Sequence, residues 1–157
     1  MPLKPLFTDK DISKVFDRFE ERTDKILLET MKYAGEYFVK IARDEKTDEG
    51  GNKITDYRDI TGNLRSSVGY IVLKDGKSVA EGFKVSGRGM GGSRGMQQGK
   101  KLARELGRTH DKGYVLIGLA GMNYAVFVEN MKNKDVISFA SKATQQMLKQ
   151  LITKIKK

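Results

Sequence analysis

The residues with the most chemical potential lie between positions 87 and 111. Gly87-Arg88-Gly89-Met90-Gly91-Gly92 matches GxGxxG after a predicted strand, and Asp111 lies nineteen residues beyond Gly92. A dinucleotide site would place a pyrophosphate on a helix N-terminus within that turn and a ribose on the acid. Further glycines follow at Gly95 and Gly99, and the preceding strand belongs to a hairpin rather than to a parallel βαβ unit, so nucleotide binding is not expected. Gly95-Met96-Gln97-Gln98-Gly99-Lys100-Lys101 looks like a phosphate loop, but it has three residues between the glycines where four are needed and no Ser or Thr to hold magnesium. Flexibility explains these glycines better. His110 stands beside Asp111, which could orient an imidazole for general-base work. The chain has no cysteine for it to activate, and no serine sits in a nucleophile-elbow pattern. His110 therefore reads as a surface-loop residue. The acids of the first predicted helix alternate with lysines and arginines at i,i+3 and i,i+4, the pattern of a solvated face rather than a catalytic pair. No enzyme activity, metal or cofactor is expected.

The elements that carry these residues belong to a chain of 157 residues with 38 % hydrophobic content, enough for one domain spanning 1–157. The absence of cysteine excludes disulfide frameworks, thiolate nucleophiles and cysteine-ligated zinc. No apolar run follows Met1-Pro2-Leu3-Lys4, so a cytoplasmic start is expected. The longest uncharged stretch, Gly113 to Val128, has 16 residues and includes three glycines, short for a membrane span. The net charge of +10 is concentrated, because residues 84–112 and 132–157 each contribute +6 and the remainder nets −2. Such clusters suit solvated surface, acidic partner subunits or nucleic acid. No aromatic residue occurs in 84–112, which disfavours a single-strand binder that stacks bases.

From Thr8 to about Lys46, apolar residues at Ile12, Val15, Phe16, Phe19, Ile26, Leu27, Met31, Ala34, Phe38 and Ile41 recur at helical spacing. Thr8 with Asp11 forms a capping box with a shortened acid. A helix of this length would reach nearly 60 Å at about 1.5 Å per residue, so it must break, with Gly35 as the candidate, or project and find a partner. Thr61 is expected to cap a short helical turn carrying Leu64, with Arg65 and the serines outside. Val68–Leu73 and 78–85 form a hairpin about an Asp75-Gly76 turn. The stretch 86–99, with six glycines, reads as a flexible basic loop, followed by a short helix over 100–109. Strands are expected at 114–119 and 124–129, and an amphipathic helix at 135–157. The order predicts an α+β domain, a mostly antiparallel sheet covered on one face by a long N-terminal helix and a C-terminal helix.

Two segments carry a family resemblance. Thr61-Gly62-Asn63-Leu64-Arg65-Ser66-Ser67 resembles the TGxLRxS segment of the tail-completion or head-tail joining (neck) proteins of tailed bacteriophages. Tyr124-Ala125-Val126-Phe127-Val128-Glu129 resembles their YAxxVE segment. Motif residues are thus Thr61, Gly62, Leu64, Arg65, Ser67, Tyr124, Ala125, Val128 and Glu129. The resemblance implies a non-enzymatic structural protein of virion assembly, made in the bacterial host cytoplasm and located in the virion neck or tail. Its partners would be copies of itself in a ring, phage connector (portal-side) and tail-tube proteins, and genomic DNA through non-specific contact, with no membrane. Arg88, Arg94, Lys100, Lys101, Arg104 and Arg108 are the candidate contacts to acidic subunits or DNA. The alternative is a basic DNA-binding or nucleoid-type module.

Overall fold

The computed structural model describes residues 6–44, 59–87, 89–131 and 134–155. The expected polar connector at 47–52, together with Tyr57, Arg88, Lys132, Lys156 and Lys157, lies outside them. The fold is α+β, with a three-stranded antiparallel sheet flanked by a long N-terminal helix and a C-terminal helix.

Helix α1 runs unbroken over Asp9–Arg43, 35 residues, about 52 Å at ~1.5 Å per residue. Its start is fixed chemically: the Asp11 N–H donates to Thr8 Oγ1 at 3.3 Å, and the Thr8 N–H donates to Asp11 Oδ2 at 3.0 Å. These two bonds satisfy amides that the helix itself leaves open. Gly35 does not break the helix; it brings α1 against the Tyr70 ring, where a Cβ would lie 2.3 Å from Cδ2. Only the C-terminal half of α1 enters the core, through Ala34, Phe38 and Ala42, while every described residue from Leu6 to Arg22 is exposed. The helix therefore projects.

The short helix α2 (Asn63–Ser67) leads directly into β1 (Val68–Lys74), and β2 (Lys77–Gly82) returns as the predicted second arm of the hairpin, ending three residues before the expected Val85. Asp75 and Gly76 both have positive φ, 49° and 75°, as the mirror-image turn of a two-residue hairpin requires. The third strand, β3 (Tyr114–Ala120), pairs with the other edge of β1. The sheet order is β2-β1-β3, with Ile71 opposite both Glu81 and Ile117. The central strand β1 is buried on both faces. On one side Val68 packs with Phe38, Ala42, Val136 and Ala140, joining the sheet to α1 and to the C-terminal helix α5 (Ser138–Ile155). On the other, Ile71 and Leu73 pack with Phe83, Leu119 and Ala103.

Ala103 belongs to a helix the glycine count concealed. Helix α3 spans Ser93–Gly107, so residues 93–99, expected as loop, are helical and cover the sheet's second face. Gly95, Gly99, Ala103 and Gly107 are its buried residues, spaced by four along one side. A Cβ on Gly95 would stand 1.9 Å from the Asn63 carbonyl oxygen, and one on Gly99 would stand 2.4 Å from the Ser67 carbonyl oxygen. The glycines serve close approach of backbones, and packing on the sheet repays their low helix propensity. The preceding loop is also tied down, since the Met90 N–H donates to the Ile60 carbonyl at 3.1 Å.

Tyr124–Glu129 also departs from expectation. Helix α4 (Ala125–Glu129) replaces the predicted strand. The sheet offers it no ladder, because β3 ends at Ala120 and the Gly121 N–H turns to Ser67; local bonds such as Ala125 N–H to Met122 C=O, 2.9 Å, prevail.

The close approach gives a signed prediction. In an unpacked helix Gly→Ala stabilises by about 1 kcal/mol. Gly95→Ala should instead destabilise this protein by about 1–3 kcal/mol, the cost of overpacking, as measured by denaturant unfolding; an increase in stability would contradict the packing of α3.

Candidate functional site

The two motif segments, separated by more than fifty residues in the chain, meet at one junction beside α3. Gly62, in the left-handed region at φ 69°, precedes α2 and takes the N-cap position expected for Thr61; the Thr61 hydroxyl accepts from the Asn63 N–H at 3.3 Å. Asp59 Oδ2 accepts from the Arg65 N–H at 2.8 Å. Arg65, Ser66 and Ser67, predicted to stay outside, are buried. The Arg65 guanidinium donates to the Arg43 carbonyl at 2.6 Å, while Arg43 donates to the Val68 and Lys84 carbonyls at 2.7 and 2.8 Å. The two arginines staple the end of α1 to the root of the hairpin.

Each serine has a defined use. Ser66 Oγ accepts from the Ser86 N–H at 3.0 Å. Ser67 Oγ donates to the Leu64 carbonyl at 2.8 Å and accepts from the Gly121 N–H at 3.1 Å. Asn63 Oδ1 accepts from the Gly95 N–H at 3.0 Å, the tie to α3. These bonds satisfy polar groups that would be costly to leave unpaired in the interior.

From the second motif, Ala125 joins Leu64 in the core, and Val128 packs against that cluster. Tyr124 stands between the motifs and α3: burial raises its phenol pKa, nearby Asp59 raises it further, and a hydrogen bond with Thr61 and the charge of Arg94 lower it in part. Glu129 reaches the start of α5. Its carboxylate accepts from the N–H groups of Val136, Ile137 and Ser138 at 2.6, 3.1 and 3.0 Å. Burial alone would raise the Glu129 pKa, but hydrogen bonds from the Ser138 side chain and these three amides outweigh it and hold the carboxyl below its ordinary 4.5.

The basic residues form a helix face instead of a loop. Arg94, Lys101 and Arg108 recur every seven residues and are exposed, so they lie on one side of α3, away from its glycines. Lys100 and Arg104 both pair with Glu81 of β2, at 3.2 and 3.5 Å, so part of the expected contact set is held within the fold. Arg88 lies outside the described residues. His110 is exposed at the C-terminal end of α3, its Nδ1 3.0 Å from Thr109 Oγ1 and 3.2 Å from the Leu106 carbonyl. It acts there as a helix-end group.

An open cleft borders the junction, with Thr61, Asn63, Arg94, Gln98 and Tyr124 on its walls. It offers hydrogen bonds and one cation but no carboxylate pair or activated nucleophile. Among the described residues, no group of three or more His, Cys, Asp or Glu side chains could hold a metal, and no helix is long and apolar enough to cross a membrane.

No family model, curated protein or solved structure matches the chain. The junction's geometry therefore carries the functional argument. Sequence reading missed the buried Arg65-Ser66-Ser67 cluster, which has no apolar signature, and the small-residue face of α3, whose period of four was visible in Gly95, Gly99, Ala103 and Gly107.

The Glu129 cap is testable. Glu129→Ala should lower stability by about 1–2 kcal/mol at pH 7, the range for a lost helix cap. Because its folded pKa is depressed, the cap's contribution is complete above the ordinary value of 4.5 and is lost as pH falls through the folded value. Urea unfolding of both proteins should show the gap narrowing below about pH 4.5; an unchanged gap at pH 3 would contradict the charge-assisted cap.

Proposed function

We propose that this protein is a non-enzymatic structural component of tailed-bacteriophage particles, a ring-forming subunit of the tail-completion or head-tail joining type. The observation that carries the reading is the convergence of the TGNLRSS and YAVFVE segments. Their polar groups are spent on holding α2, α3, β3 and α5 together, a scaffold role rather than a catalytic one. What the scaffold leaves outside is suited to contact: the projecting half of α1, and the α3 face bearing Arg94, Lys101 and Arg108. In this reading those cations meet acidic subunits or DNA passing through the neck, and the neighbours are copies of the chain with connector and tail-tube proteins.

The deciding experiment is quantitative peptide mass spectrometry of gradient-purified phage particles from the source strain, scaled to the major capsid protein. The reading predicts a low, ring-like copy number per particle; absence from particles, with the protein present in the cells, would reject it.

The α3 face also favours a second reading, a basic DNA-binding or nucleoid-type module. With three exposed cations at seven-residue spacing, log affinity for duplex DNA would fall against log salt with a slope of about −3, at ~0.9 per phosphate contact. Arg94→Ala together with Lys101→Ala should flatten that slope by about 2 in a fluorescence-anisotropy titration. No duplex binding at physiological salt would remove this reading.

A further inference from the structure

The projecting half of α1 carries large apolar side chains that the described residues of its own chain do not cover. Ile12, Phe16 and Phe19 are 39 %, 63 % and 68 % exposed, and their i, i+4, i+7 spacing aligns them on one helix face. These are the anchor positions of a helix that lies in a groove. The half-helix cannot fold back onto its own body, because it continues without a break into the half locked by Ala34, Phe38 and Ala42.

A second uncovered apolar surface lies where α4 meets the start of α5. A shallow groove there has Ala125, Val126, Val136 and Ile137 in its walls, and Phe127, Met131 and Phe139 nearby are 73 %, 55 % and 50 % exposed. The two acids at this place, Glu129 and Asp135, are turned onto α5 and its first turn: Glu129 accepts from three amides, and Asp135 Oδ2 accepts from the Phe139 N–H at 2.9 Å. Beyond them α5 carries Lys142, Lys149 and Lys154 and no acid. The projecting helix carries Asp9, Asp11, Asp17, Glu20 and Glu21 against four cations. An apolar helix face with one acid more than its cations thus matches an apolar groove whose α5 wall continues into a helix bearing lysines and no acid.

We propose that the Asp9–Arg22 half of α1 docks into the α4/α5 groove of a second copy of this chain, with Ile12, Phe16 and Phe19 as anchors. The contact is heterologous, since each copy offers one helix and one groove, and such contacts close into rings or extend into filaments. A single helix in a shallow groove buries less than the roughly 1,200 Å² that a stable pair requires, so the isolated contact is weak and gains strength when each subunit makes it twice. The inference supplies the self-contact for the ring reading above, and it is tested on the purified chain without particles, so the two can fail separately.

Because the chain has no cysteine, Arg22→Cys can be labelled with benzophenone maleimide at that position alone. Arg22 is exposed and is neither an anchor nor one of the acids, which leaves the fold and the proposed contact undisturbed. Photolysis of a concentrated mixture of isotope-labelled and unlabelled protein, followed by peptide mass spectrometry, identifies what the helix touches and whether the contact is between copies. Intermolecular adducts within 124–139 are expected, and Phe127→Glu, at an exposed position, should lower their yield about tenfold or more while leaving circular dichroism unchanged. Adducts within 9–26 of the other copy would show helix-to-helix pairing and overturn the proposal. Adducts elsewhere, or none between copies, would also overturn it.

Discussion

The close approach of α3 to α2 is the constraint on which the rest of the fold depends. At Gly95 and Gly99 the helix backbone comes so near the Asn63 and Ser67 carbonyls that a methyl group would overlap them. At the same crossing the Gly121 N–H is shared between the Ser67 carbonyl and hydroxyl, at 3.2 and 3.1 Å. This crossing covers the second face of β1, stops β3 at Ala120 and forces the chain into α4. The position of α4 then sets Glu129 at the first amides of α5. Two distant segments of unremarkable composition become one structural unit because three glycines let three backbones meet.

This arrangement divides the molecule by role. Polar side chains at the junction are turned to internal partners: Arg65 and Arg43 serve carbonyls, the serines serve amides, and Glu129 serves a helix terminus. The surface keeps what the scaffold does not use, namely an apolar stripe on α1, an apolar groove between α4 and α5, and a basic face on α3. The ring subunit proposed above would use such separate surfaces around a stiff centre. The staple of Arg43 and Arg65 fixes the root of α1, so the direction in which the helix projects is set by the core.

Features determined by adjacent residues were legible from the start. Thr8 and Asp11 cap the first helix as their spacing indicated, Asp75-Gly76 turns the hairpin, and short runs rich in Val, Ile and Leu mark β1 and β3. Features determined by distant partners were not. Gly95 and Gly99 carry a low helix propensity that only contact with Asn63 and Ser67 overcomes, so composition pointed to loop. Tyr124 to Glu129 satisfies a strand's alternation and a helical turn equally over six residues, and the absence of a neighbouring ladder chose between them. Arg65, Ser66 and Ser67 look like surface because their burial rests on carbonyls and amides that sequence does not display. Of the expected basic contacts, Arg94, Lys101 and Arg108 keep their exposure, whereas Lys100 and Arg104 are engaged by Glu81 from a strand about twenty residues earlier.

Residue-resolved amide hydrogen exchange tests the central claim most directly, because it reads which backbone groups open only when the whole fold opens. If the glycine crossing holds the molecule together, the Gly121 amide and the amides of Gly99 to Ala103 will exchange as slowly as those at the centre of β1. Rapid exchange across 93–103 beside a protected β1 would show a glycine-rich loop resting on an independently stable sheet, and would contradict the account.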